Sequence, residues 1–114
     1  MSIVDRINRL ILKRLRGEPQ QARIVADDLV LDGQTLPLRG LKGVIAYEAD
    51  IYAGTVIALA LSFSNGRSVT VTQEDNCWND LTSALDRLQL TTVPSRIWLT
   101  KIMAGSDKQI ILRG

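Results

Sequence analysis

The chain's only cysteine stands in "QEDNCWNDL", two residues after an acidic pair and directly before one of its two tryptophans. A cysteine in the first turn of a helix can lose its proton more readily and act as a nucleophile or metal ligand. That chemistry needs a partner base or further ligands, and the chain contains no histidine. Cys-His and Ser-His-Asp arrangements are therefore excluded, as is any His-built zinc site. Glu74 and Asp75, just upstream, disfavour a thiolate. We read "EDNCW" as a joint where a strand becomes a helix. Asp75 or Asn76 caps the helix, Cys77 packs in its first turn, and Trp78 anchors the core rather than serving as a ligand platform.

A second candidate is the pair Glu48 and Asp50, two residues apart and so on one face of a strand. Paired carboxylates can do acid–base work or bind a cation. The solvated outer face of an antiparallel strand gives the same pattern, and that is the reading we adopt. Asp27 and Asp28 read as turn chemistry. "GLKG", residues 40–43, lacks the length and the following helix of a phosphate-binding loop and reads as a turn between strands. No catalytic residue, metal site or cofactor site is called, and the chain is not expected to be an enzyme.

The elements that must position these residues follow from length and pattern. The 114 residues suit one domain with a real core. The longest apolar run, "VIALALSF", is far shorter than the roughly 20 residues of a spanning helix. One cysteine gives no internal disulfide, so the expected location is the cytoplasm.

Net charge is +2, unevenly spread. Residues 1–17 hold Arg6, Arg9, Lys13, Arg14 and Arg16 against Asp5, a balance of +4, which leaves −2 for the remainder. Basicity confined to one segment argues against a nucleic-acid-binding body, which needs a basic face.

In that first segment Ile3, Val4, Ile7, Leu10, Ile11 and Leu15 recur at helical spacing. Ser2 is placed to cap, Gly17 to terminate, and Pro19 blocks continuation. The expectation is a basic amphipathic helix over 1–17. From residue 21 to 73 the period becomes 2, giving a strand meander broken at Asp27-Asp28, Asp32-Gly33, Gly54 and Asn65-Gly66. Asn65-Gly66 is the dipeptide that type I′ hairpin turns favour. Pro37 places its strand at an edge. Along the run from 56 to 63 the large residues Ile57, Leu59, Leu61 and Phe63 share the core face. The small ones pack on something close or meet solvent.

A packing helix is expected over 76–90, with Trp78, Leu81, Leu85 and Leu88 in one stripe. The C-terminal extension, 94–114, holds "RIWLTKIM", which fits either helix or strand, and "KQIILRG", which reads as a strand.

The paired-strand unit "RIVADDLVLDGQTLPLRGLKGVIAY", with "LALSFSNGRSVTVT" and "QEDNCWNDLTSAL", resembles the bacterial pleckstrin-homology-like domains, particularly the YcxB-like group of small proteins. The resemblance covers about residues 21–90. It implies a half-open barrel closed by a helix, acting as a binding module. The extension beyond that helix departs from the pattern. The acidic "ADD" in the first turn means that phosphoinositide binding is not carried over.

The resulting expectation is an α+β domain: a bent antiparallel sheet, or half-open barrel, packed by one helix and preceded by an amphipathic helix. Its expected role is a non-catalytic bacterial protein-interaction module that uses a strand edge or the open end of the sheet. A toxin-neutralising immunity protein is one form of it. The alternative is a peripheral protein held at an anionic membrane surface by residues 1–17. The interaction residues named on these grounds are Arg6, Arg9, Lys13, Arg14, Arg16, Glu48 and Asp50.

Overall fold

Turn chemistry cuts the first half of the chain into two antiparallel meanders. The structure, a computed structural model, describes residues 22–51 and 54–114. The helix expected over 1–17, with its five cations, lies outside the described residues.

The first meander is a three-stranded sheet of β1 (Ala22–Val25), β2 (Asp28–Leu31) and β3 (Gln34–Pro37), in that order. Its first turn is one residue earlier than expected. Val25 pairs with Asp28, so the turn residues are Ala26 and Asp27, with Ala26 at φ 53°. The second turn follows the sequence signal: Asp32 and Gly33 both have positive φ, at 51° and 80°, as a type I′ hairpin requires. Pro37 does close an edge strand.

A single 3-10 turn, Leu38–Gly40, then redirects the chain into β4 (Leu41–Ile51). "GLKG" is thus not one turn. Gly40 ends the 3-10 turn, while Gly43 lies within β4 beside an irregularity in its pairing with β5. β5 (Gly54–Phe63) and β6 (Ser68–Thr72) complete the second meander. The β5–β6 connection also differs from the expected type I′ turn. Only Gly66 has positive φ, at 88°, and its N–H donates to the Phe63 carbonyl. Phe63 N–H in turn donates to the Arg67 carbonyl, so three residues are enclosed. This is the longer hairpin loop, a tight turn followed by a left-handed glycine. The Asn65 side chain stabilises it by accepting the Arg67 N–H at 2.9 Å.

Two helices follow, α1 (Trp78–Arg87) and α2 (Ser95–Met103), which decides the ambiguous "RIWLTKIM" in favour of helix. Within the packing helix expected over 76–90, only residues 78–87 are α-helical, and Gln89 already has positive φ. The last strand, β7 (Gln109–Arg113), returns to pair with β4, giving the order β6-β5-β4-β7.

The fold is therefore α+β, but with two antiparallel sheets and two described helices in place of one bent sheet with one helix. The sheets do not close into a barrel. They meet through a shared core. Leu29 and Leu36 of the small sheet and Leu38 of the 3-10 turn join Val44, Leu59, Leu61, Val71 and Leu112 of the large one. Trp78, Leu81 and Leu85 supply the α1 stripe, with Leu88 half-buried at its end, and α2 adds Trp98 and Ile102. The two tryptophan rings meet edge to face, 6.1 Å apart at 83°.

Polar contacts fix the helices to this core. Asp86 near the end of α1 accepts the Ser95 N–H at 2.9 Å and the Ser95 hydroxyl at 2.5 Å. A carboxylate from one helix thus serves the N-terminus of the next, satisfying an N–H that has no partner within α2. Arg87 reaches back to Asp27 at 3.0 Å, and Arg39 approaches the same carboxylate at 3.6 Å.

Candidate functional site: the distal arm of the long hairpin

β4 and β5 are 11 and 10 residues long, while their outer neighbours β7 and β6 have five each. The register decides where the sheet narrows. β7 accompanies β4 only from Val44 to Tyr47, and β6 accompanies β5 only from Ala58 to Ser62. One more hydrogen-bonded step is added on each side. Glu48 N–H donates to the Lys108 carbonyl at 3.0 Å, and Gln73 N–H to the Ile57 carbonyl at 3.1 Å. The Gln73 side chain also accepts the Ile57 N–H. Beyond that point Ala49 pairs with Val56, Asp50 with Thr55 and Ile51 with Gly54, and no described strand flanks either side. The result is a two-stranded arm whose outer edges have no partner among the described residues, a template for strand addition.

Glu48 and Asp50 are both exposed on this arm, as the sequence suggested. They are not on an outer face, however. Alternation from Val44 and Ala46 places them on the same face as the core, past its end. β4 outruns the helices, and the core on this face stops at Ala46 and Ile57. Neither carboxylate forms an ion pair with another described residue; Asp27 makes the ion pairs found there.

At the "EDNCW" joint Cys77 is 3% exposed and Trp78 7%, both inside the core. The residue at the cap position is Cys77, whose own side chain makes no cap hydrogen bond. Asp75 serves the turn before it, its carboxylate accepting the Thr72 N–H at 2.8 Å and its carbonyl the Trp78 N–H at 3.1 Å. Asp80 supplies negative charge to the first turn of α1.

Arg6, Arg9, Lys13, Arg14 and Arg16 lie outside the described residues. Among the described residues no group of three or more Cys, Asp or Glu side chains is placed to hold a metal ion. No described helix is long and apolar enough to cross a membrane.

Two features of the region were missed in the sequence. The free edges of the arm follow from unequal strand lengths, a signal present in the long runs on either side of Gly54 and the short "SVTVT". The role of Asp27 as an anchor for Arg87 had no local signal, because 60 residues separate them.

No family model matches this chain, and no curated protein or solved structure matches it either.

Proposed function

We propose that the protein is a non-catalytic protein-interaction module and that the distal β4–β5 arm is its docking element. The observation that carries this reading is the arm itself: two strands with open edges, bearing two exposed carboxylates without described counterions. Backbone groups on such an edge supply affinity for an extended segment, and flanking side chains supply selectivity. Glu48 and Asp50 select a partner strand rich in Lys or Arg. Neutralisation of a basic toxin by a small immunity protein is one form of this interaction. The likeness to bacterial pleckstrin-homology-like proteins agrees with a binding role. In that finer reading the two meanders are the walls of an open barrel and α1 is its closing helix. β7, added after the helices, is the departure.

The test uses the full chain as bait in an extract of its native host, beside a Glu48→Lys, Asp50→Lys variant of unchanged unfolding midpoint. The expected result is a protein partner that cross-links to residues 48–56 and is lost by tenfold or more, about 1.4 kcal/mol, in the variant. Equal capture of every partner by both proteins would remove the arm from the proposal.

A further inference from the structure

The four-stranded sheet has a second apolar face. Tyr47 and Ala49 of β4 and Val56, Ala58 and Ala60 of β5 form a cluster separate from the main core, with Ile45 packed against it. These five residues are at most 5% exposed. Thr70 and Thr72 of β6 extend the buried surface at 5% and 2%. Yet both described helices, the 3-10 turn and the smaller sheet contribute to the cluster on the opposite side, and this one draws only on β4 and β5. A face so fully removed from water requires a cover.

We propose that residues 1–17 of the same chain are that cover, laid across Ala58 and Ala60 by the stripe Ile3, Ile7, Leu10 and Ile11. Shape supports the match. Cross-strand rows run Gln109–Tyr47–Ala58–Thr72 and Ile111–Ile45–Ala60–Thr70, so small residues occupy β5 and β6 beside the larger Tyr47 and Ile45 of β4. The low side lets a helix backbone approach closely, and Ile111 of β7, 62% exposed, marks the limit of the covered surface. Length supports it too. A helix of about 15 residues spans roughly 22 Å, enough to cross the three strands β4, β5 and β6 at ~4.8 Å spacing. The five links from Gly17 to Ala22, through four intervening residues, can bridge up to about 17 Å to the start of β1. Helical spacing puts Arg9, Lys13 and Arg16 away from the stripe and Arg6 at its border, while Arg14, seven residues after Ile7, ends the stripe itself and marks where the apolar contact stops. The arrangement does not depend on the arm carboxylates and stands or falls apart from their proposed role.

A photo-reactive phenylalanine derivative placed at Ile7 of the full chain, and separately at Arg9, tests this directly. The position 7 protein should cross-link within one chain to the β4–β5 hairpin, residues 45–60, and the position 9 protein should not. No cross-link from position 7, or one landing elsewhere, would overturn the proposal. So would a cross-link formed between two chains, or one to this face that is lost on anionic phosphatidylglycerol vesicles while position 7 labels lipid. The first of these would make a second copy the cover, and the second would make a membrane surface the preferred site of the stripe. As an independent readout, Ile7→Asp with Leu10→Asp should lower the urea midpoint clearly, while Arg9→Glu with Arg16→Glu should change it little. Equal effects of the two pairs would also overturn it.

Discussion

Trp78 shows how one side chain can join two elements. It opens α1, lies almost wholly inside the core, and meets Trp98 of α2 edge to face at 6.1 Å. Its removal leaves a cavity between two helices and strips Trp98 of its ring contact. Trp78→Ala is therefore expected to cost about 3–5 kcal/mol, with a matching fall in the urea midpoint. The measurement is equilibrium unfolding, and an unchanged midpoint would place Trp78 outside the core. The neighbouring Cys77 is buried by the same wall, so its labelling by thiol reagents in the folded protein is expected to be slow. The sequence pointed to a packing role by exclusion, since without histidine the cysteine has no imidazole base. It did not disclose that the Asp75 carboxylate would accept the Thr72 N–H, a contact that depends on the exact exit direction of β6.

Among the elements, α2 was the least legible. "RIWLTKIM" has apolar residues that satisfy either period, and its beginning is set by a residue nine positions earlier. Asp86 holds both the N–H and the hydroxyl of Ser95, so the start of α2 depends on the last turn of α1. Asp86→Ala should release both contacts and destabilise the domain by about 1–2 kcal/mol, the usual cost of losing a helix cap. Hydrogen exchange should then rise first in residues 95–103. Equal protection in variant and parent would show that Trp98 packing alone defines α2. The strands, in contrast, were legible nearly residue by residue, since alternation and Gly or Asn-Gly punctuation fix both face and end. The faces of the 56–63 run were read correctly from side-chain size alone. The errors there are single steps at turns, where closing pairs such as Val25–Asp28 decide what composition cannot.

At the scale of the molecule the two sheets are separate in hydrogen bonding and continuous in packing. Leu29, Leu36 and Leu38 belong to the same cluster as Phe63, Val71 and Leu112, and Asp27 ties the small sheet to α1 through Arg87. A domain with one core should unfold in one step. Tryptophan fluorescence, which reports the helix pair, and far-ultraviolet circular dichroism, which reports both sheets, should give superimposable urea curves. Two separated transitions would mean that the small sheet melts independently. This unity is what the sequence concealed. One meander looked like one sheet, because nothing in residues 38–40 announces that the turn there starts a new sheet and not another hairpin strand.

The position of β7 has a consequence for how the protein is made. β4 is translated long before β7, yet one of its edges is completed only by residues 109–113, after both helices have been synthesised. During that interval a nascent chain carries an open, strongly apolar strand, flanked by Val44, Ile45 and Ala46. Arg113 then closes the gap, donating to the Leu41 carbonyl at 2.8 Å and reaching the Leu90 carbonyl at 3.4 Å. Such late strand insertion makes folding vectorially incomplete and exposes a pairing surface to neighbouring chains on the same polysome. A chain cut short before β7 thus keeps that edge of β4 open to neighbouring chains.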